Sequence, residues 1–497
     1  MATNAGDTAA LTADTFHKGT VWGMVLNSTL GMFQFGYILT ILNTLMIYFQ
    51  KDVYHFDDAE KDKYSSLLNS AVTIGAGIGA LVAGPIAKKL GRRMSMIFID
   101  LIVLVASFLT LITNVNVFIV GRIIGGFCVG FNSTLVPLYM NEITPLSIKG
   151  IAGTFNQIQI CLGSFLAVLF GFGLPDSDFS GFRGQWWRVM LGFPILIGTI
   201  RLILVFLVFT NDTPKYLVYN NEKEKAEEAL TRIYKQEYVN EQLELLEHTR
   251  EEEEKAGKVN FRELFGSRYR GRLLIACFIA FLQQMTGVNA FIFYSTDIFK
   301  KGAGSDQAAV TLSTLFGAFN LLATLISGQI IKRFGRKTIL IWGDIAITAT
   351  IVVTAVLFMT DSTSALVYPI FLFIILFGFS YGPVPWIFIA EILPDIGVGI
   401  AVLTNWTGSF LVALLFPLLS SDTVMGPGPS FLIFGAFGVL ALFVLIFFIK
   451  ETYGLTPAQI NEIYSPKVGV DDKDNTPLTG AKNEVSLQGE YEKMSDA

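Results

Sequence analysis

The sequence predicts an all-α membrane protein. Twelve transmembrane helices form two pseudo-symmetric six-helix bundles, with amphipathic helices at the cytoplasmic surface between them. Three observations predict this. Of 497 residues, 52% are hydrophobic and 15% charged, where soluble globular chains carry about 25% charged residues. Apolar runs of about 20 residues, each enough to cross a bilayer, come as six, then a polar stretch, then six more. Two motifs recur between the halves at nearly one shift. The 43 Phe and 46 Gly fit lipid-facing aromatics and close helix packing. The net charge of −5 lies in loops and tails and decides little.

In order, a polar leader (1–19) precedes runs near 20–49, 66–87, 95–113, 116–140, 150–173 and 189–210, which make a first bundle over 20–210. The first run is too long for a signal-peptide core and reads as a span. A polar linker follows over 211–269, in which Ala226, Ala229, Leu230, Ile233 and Tyr234 recur at helical spacing and predict short amphipathic helices. The Glu251–Glu254 run reads as a solvated face. Runs near 270–299, 307–331, 338–360, 365–390, 396–420 and 429–449 make a second bundle over 270–450, and a polar tail spans 451–497. The eleventh run is broken near its start by Pro394 and glycines.

Basic clusters set the orientation. Lys88, Lys89, Arg92 and Arg93 follow the second run, and Lys332, Arg333, Arg336 and Lys337 follow the eighth. Both are even-numbered exits, so the positive-inside rule puts them and both termini in the cytoplasm. The sequons at Asn27, Asn132 and Asn405 lie within spans and that at Asn211 on the cytoplasmic side, so none is expected to be used. Cys128, Cys161 and Cys277 fall in apolar runs and read as buried thiols, supporting neither a disulfide framework nor a metal site. His17, His55 and His248 lie outside the runs, which argues against a histidine proton relay in the membrane. No nucleophile–base or metal-ligand set falls in the spans, so neither an enzyme nor a cofactor is expected, and no nucleic-acid partner.

The repeat is specific. Gly84-x-x-x-Lys88-Lys89-Leu90-Gly91-Arg92-Arg93 answers Gly328-x-x-x-Lys332-Arg333-Phe334-Gly335-Arg336-Lys337, with Asp100 and Asp344 at the same offset beyond. Tyr139-Met-Asn-Glu142-Ile-Thr-Pro145 answers Phe388-Ile-Ala-Glu391-Ile-Leu-Pro394. Two related six-span halves with a ligand site at their interface is a transporter architecture. In the seventh run, Gln283-Gln284-Met-Thr-Gly287-Val-Asn289 places three amides in hydrocarbon, which is costly unless they are partnered. Amides donate and accept, which suits a neutral ligand rich in hydroxyls. They serve equally as interhelical glue, and the motif alone leaves both readings open.

Taken together, these motifs resemble the sugar porter family of the major facilitator superfamily, and most closely its facilitative glucose transporters. Further marks are Gly121-Arg122, Asn211-Asp-Thr-Pro-Lys-Tyr-Leu217, Gly382-Pro-Val-Pro-Trp386 and Lys450-Glu-Thr-Tyr-Gly454, and the likeness spans about 20–456. It implies a hexose uniporter in the plasma membrane, working by alternating access with a sugar and the bilayer as partners. Rival readings are a proton-coupled hexose or polyol symporter and a non-transporting sugar sensor. The resemblance makes Gln157, Gln283, Gln284, Asn289, Asn320 and Trp386 sugar contacts, with Ser409 where the family has a further amide. It makes Arg92, Arg93, Glu142, Lys149, Arg336, Lys337 and Glu391 a cytoplasmic salt-bridge gate.

Departures from the family pattern sharpen the reading. Lys88 stands where the family has an acid or Asn, and Lys149 where it has Arg. The link from Glu391 to Asn405-Trp406 is about four residues short, which implies a rewired gate or a strained link. Proton-coupled members carry Gly-Tyr-Asp in the first span. Here Gly36-Tyr37 is followed by Ile38, whose hydrocarbon side chain cannot take a proton. Asp100 and Asp344 lie roughly 9–12 Å into their spans, in helices peripheral in this family. Arg201, in the middle of the sixth run, needs a partner, and Asp100 is the candidate; a separation beyond about 6 Å, past salt-bridge reach, removes that pairing.

Overall fold

The computed structural model describes residues 15–49, 53–175, 181–256, 261–303, 305–331, 333–455 and 457–464. Among the described residues, twelve helices are long and apolar enough to cross a membrane. They are α1 (Lys18–Tyr48), α2 (Glu60–Leu90), α3 (Arg92–Thr110), α4 (Val115–Ile143), α5 (Leu146–Gly173), α6 (Trp186–Leu207), α7 (Arg270–Gly302), α8 (Asp306–Ile331), α9 (Arg336–Met359), α10 (Thr363–Ile392), α11 (Ile396–Ser420) and α12 (Pro427–Phe447). Among the described residues no strand forms beyond a single bridge between Phe16 and Tyr234. The predicted runs locate the spans to within a few residues, and α2 reaches past its run at both ends. Helix α2 begins several residues early because Asp57 caps it, its side chain accepting from the Glu60 N–H at 2.7 Å. Asn114 caps α4 likewise, accepting from Asn116 and Val117.

Close packing needs small residues where backbones meet. On α4, a Cβ at Gly126 or Gly130 would collide with the Val72 or Ala76 carbonyl of α2. Separate apolar clusters fill the first half, while the second half's core extends across to Ile38, Leu39, Val72 and Ala76 of α1 and α2. The halves also meet along α5 and α8, where Gly317 packs on Phe165.

The linker carries Pro214–Tyr219, Lys223–Ile233 and Gln236–Ala256 as helices. Ala226, Ala229, Leu230 and Ile233 turn inward as their spacing predicts. Tyr234 departs from that prediction: it is the extended C-cap, bridged to Phe16. Cys277 departs as well, being half-buried where Cys128 and Cys161 are buried.

Two spans are interrupted, and both interruptions position the candidate site. Helix α7 breaks at Gly287, whose φ of +79° suits glycine, and a Cβ there would press within 2.8 Å of Phe434. Helix α10 divides into Val367–Phe379 and Val384–Ile392. Pro383 and Pro385 lack the N–H groups that would bond the Phe379 and Tyr381 carbonyls, so those acceptors are released.

The short link after Glu391 is unstrained. Leu393 and Pro394 have ψ of 147° and 160°, and their counterparts Thr144 and Pro145 have ψ of 122° and 146°. Each is a two-residue extended turn in allowed space, so of the two alternatives, a rewired gate or a strained link, the backbone does not carry the strained one, and Pro394 serves as the N-cap of a helix that runs on through its glycines.

Candidate functional site

Five side chains on α7 and α11 form one buried hydrogen-bonded network. Gln283 donates to the released Tyr381 carbonyl at 2.6 Å and to Gly382 at 3.3 Å. Its Oε1 accepts from Asn405 Nδ2 at 2.7 Å, and Asn405 Oδ1 accepts from Gln284 Nε2 at 3.0 Å. Asn289 Nδ2 donates to Gln284 Oε1 and to Ser409 Oγ, both at 2.6 Å. Gly408 makes room on α11, lying 3.0 Å from Gln284 Cβ when given a Cβ of its own. Exposure is low throughout, from 0% at Ser409 to 8% at Gln284. The network therefore does the work of interhelical glue, while each member keeps the paired donor and acceptor chemistry that a hydroxyl can exchange with.

Sequence reasoning missed the hub. Asn405 appeared only as an unused sequon and half of an Asn-Trp pair, yet it joins both glutamines. Its partner in that pair, Trp406, packs on Phe35 of α1 with ring centroids 5.6 Å apart, an aromatic contact between the halves.

The other expected contacts stand apart from this network. Gln157, on α5, donates to Cys161 Sγ at 3.5 Å, and Cys161 meets Thr324 Oγ1 of α8 at 3.3 Å. Asn320 is half-buried one turn before Thr324, so both amides belong to the α5–α8 seam between the halves. Trp386 is half-buried at the start of the second limb of α10. Among the described residues none of these three hydrogen-bonds to the five-residue network.

The basic loops carry a repeated construction. Arg92 Nη2 pairs with Glu142 Oε1 at 2.6 Å, and Thr213 Oγ1 donates to the other oxygen of that carboxylate at 2.5 Å. In the second half Arg336 pairs with Glu391 at 2.9 Å, and Thr452 donates to its other oxygen at 2.6 Å. A carboxylate from a distant segment then caps a helix whose own N-cap is glycine. Asp212 accepts from the Arg92 and Arg93 N–H groups at 3.0 and 3.2 Å, and Glu451 accepts from Arg336 and Lys337 at 2.8 and 3.1 Å. Helix N-termini leave such N–H groups unpaired and favour negative charge. Gly91 and Gly335 are needed because a Cβ at either would collide with the capping carboxylate. Burial pushes the Asp212 carboxyl above its ordinary value, opposed by the backbone N–H bonds from Thr213, Arg92 and Arg93.

The salt-bridge set is narrower than expected. Arg93 and Lys337 donate their side chains to backbone carbonyls instead, Arg93 to Val205 and Phe209 and Lys337 to Ile446. Each carboxylate pair lies within its own half and neither joins the two, and among the described residues Lys149 takes no ion-pair partner.

On the opposite face the halves are latched directly. Asn43 of α1 donates to the Ile292 carbonyl at 2.9 Å and Ser295 Oγ at 2.7 Å, and accepts from the Thr296 N–H at 2.9 Å. Lys61 of α2 pairs with Asp297 of α7 at 2.6 Å, and Ser66 donates to the Leu414 carbonyl of α11 at 2.5 Å. Nothing in the sequence marked these residues, since an Asn and a Ser at span ends are common.

Deeper in the first half, Arg122 is 2% exposed and donates to the Ile38 carbonyl at 2.6 Å and the Leu68 carbonyl at 3.3 Å. Among the described residues no carboxylate pairs with it. Arg201 does find the expected partner: Nη1 lies 3.4 Å from Asp100 Oδ1 and donates to Asn132 Oδ1 at 3.0 Å, with both charged side chains fully buried. A buried charge without such a partner is strongly destabilising.

Comparison with known proteins gives the family and the fold. Residues 24–464 match the family model for "Sugar (and other) transporter". Hexose transporter 1 of Plasmodium vivax is 33% identical over 460 residues, covering 86% of this chain and 90% of that protein. Glucose transporter GlcP of Staphylococcus epidermidis is 31% identical over 441 residues, covering 87% and 94%. Among solved structures, the proton:xylose symporter XylE of the major facilitator superfamily, bound to 6-bromo-6-deoxy-D-glucose, superposes with a TM-score of 0.74 at 24% identity, covering 90% of this chain and 99% of that one. The fold is that of the major facilitator superfamily, and the chain belongs to the sugar (and other) transporter family, whose members are carriers rather than enzymes.

Proposed function

We propose that this sugar transporter carries a hexose such as glucose down its gradient by alternating access, without proton coupling. The observation supporting the uncoupled reading is Arg122 bonded to the Ile38 carbonyl with no carboxylate beside it among the described residues. A proton carrier needs a side chain that changes charge within the membrane, and Ile38 offers none. The likeness to a hexose transporter and a glucose transporter supports the hexose reading. The symporter neighbour keeps a proton-coupled rival in view.

In this account a sugar hydroxyl inserts into the amide network and takes over one donor and one acceptor. Exchange of bonds like for like leaves no buried amide unpaired, which would cost about 1–3 kcal/mol. Trp386 offers a flat apolar face to a pyranose ring, and Gln157 and Asn320 read hydroxyls from the α5–α8 seam.

The latch of Asn43, Lys61 and Asp297 separates when the site opens on that side. Arg92–Glu142 and Arg336–Glu391 stiffen each half so that it rocks as a unit. The partly exposed Lys61–Asp297 pair contributes only about 0–1 kcal/mol, which suits a contact between the halves that is remade in every cycle. The basic loops and both termini face the cytoplasm, and the membrane is the plasma membrane.

Purified protein in proteoliposomes is expected to equilibrate radiolabelled glucose. Gln284→Ala is expected to reduce hexose flux at least tenfold in folded, membrane-inserted protein, and unchanged flux would leave the amides as helix glue alone.

A further inference from the structure

We infer that Asp344 is a positioning residue for the sugar site, acting through Tyr381 on Gln283. This rests on the sugar-site reading above. Tyr381 is the residue at which α10 is unwound, and its side chain and backbone point to two different partners. Its hydroxyl donates to Asp344 Oδ1 of α9 at 2.9 Å, and its carbonyl accepts from Gln283 Nε2 at 2.6 Å. Tyr381 is 0% and Asp344 1% exposed.

The carbonyl is free for Gln283 because the residue four positions on, Pro385, has no N–H to give it. The turn keeps backbone bonds from Gly382 N–H to the Phe377 carbonyl at 2.8 Å and from Val384 N–H to the Ser380 carbonyl at 3.1 Å, which hold the chain on either side of Tyr381, while the orientation of Tyr381 itself is set by what its phenol grips. Asp344 is that grip. The neighbouring Gly343 permits the approach, since a Cβ there would collide with Ser380 at the edge of the break. The Tyr381 phenol therefore fixes where the carbonyl sits, the carbonyl fixes the Gln283 amide, and Gln283 Oε1 in turn holds Asn405.

The repeat separates this role from generic stabilisation. Asp100 occupies the equivalent position of α3, but it pairs with Arg201 beside Asn132, and among the described residues it hydrogen-bonds to no member of the amide network. One sequence position thus serves two ends, a buried ion pair in the first half and a neutral hydroxyl donor in the second. A hydroxyl needs only an acceptor oxygen from Asp344, with no need of its charge, so Asn can replace it.

The test uses the full chain with Tyr381→Phe, Asp344→Leu, the double variant and Asp344→Asn. Hexose KM and maximal flux are measured in proteoliposomes, and amide hydrogen exchange of residues 376–386 in detergent. Tyr381→Phe and Asp344→Leu are each expected to raise KM about three- to tenfold, the net worth of one hydrogen bond, with maximal flux within about twofold and faster exchange in that segment. The double variant is expected to be no worse than the worse single one, and Asp344→Asn to behave like the parent protein.

Unchanged exchange in both single variants overturns the inference whether or not the protein carries hexose. An Asp344→Asn variant as impaired as Asp344→Leu also overturns it, because the charge would then be what matters. A parent protein that carries no hexose sinks the functional reading instead, and the exchange measurement still decides the positioning role.

Discussion

Asn405 stands between the two glutamines of α7, donating to Gln283 Oε1 at 2.7 Å and accepting from Gln284 Nε2 at 3.0 Å. Among the described residues it is the one hydrogen-bonded link between them, while Gln283 is also held by the Tyr381 carbonyl and Gln284 by Asn289. Asn405→Ala strands an acceptor on Gln283 and a donor on Gln284. We expect hexose KM to rise about tenfold, with a stability loss of about 1–3 kcal/mol for the unpaired buried groups. Uptake kinetics and thermal unfolding in detergent measure both, and an unchanged KM would mean that the sugar does not read these amides.

The α1–α7 latch makes a prediction about conformational balance. Asn43 satisfies three partners on α7, and Asn43→Ala removes all of them at once. A shift of about 1–3 kcal/mol away from the latched arrangement is expected. Ser66, 2% exposed against α11, then becomes accessible. A cysteine placed there by Ser66→Cys should react faster with an impermeant maleimide in the Asn43→Ala background, and equal rates would show that the latch does not hold the halves.

Asp212 gives a pH dependence of defined sign. Burial raises its folded-state pKa above the ordinary aspartate value of about 3.9. A carboxyl with a raised folded pKa is an ionised burden on the fold at neutral pH, and that burden fades as pH falls through the folded value towards the unfolded one. Asp212→Asn removes the titration. The variant's stability relative to the parent should therefore be highest near pH 7 and decline on acidification towards about pH 4. A difference in melting temperature that stays flat or grows on acidification would contradict the burial argument.

Much of the fold was legible because the membrane imposes it. Twelve apolar runs had to become helices, since lipid offers no other partner for the backbone, and the repeat of Gly91-Arg92 with Gly335-Arg336 announced two halves. The pairing of Asp100 with Arg201 was legible for the same reason: a charge in mid-span needs a partner, and few were available.

Partners drawn from segments without hydrophobic patterning were harder to read. Asp212 and Glu451 sat in quoted motifs, but capping a helix more than a hundred residues away leaves no local signal. Asn43 and Asn405 look like any amide near a span, and only the meeting of α1 with α7, and of α7 with α11, gives them roles. The glue and ligand readings of Gln283 and Gln284 stayed open in sequence because the residues fit both, and the hydrogen-bonded network carries the first while remaining competent for the second.

The central claim is uncoupled hexose transport. Its direct test is glucose uptake into proteoliposomes with an imposed inward proton gradient and no sugar gradient at the start. The account predicts that internal glucose stays at the external concentration, at the same level with or without the proton gradient. Accumulation above that level, abolished by a protonophore, would contradict it and show that a buried carboxylate such as Asp100 or Asp344 couples proton and sugar.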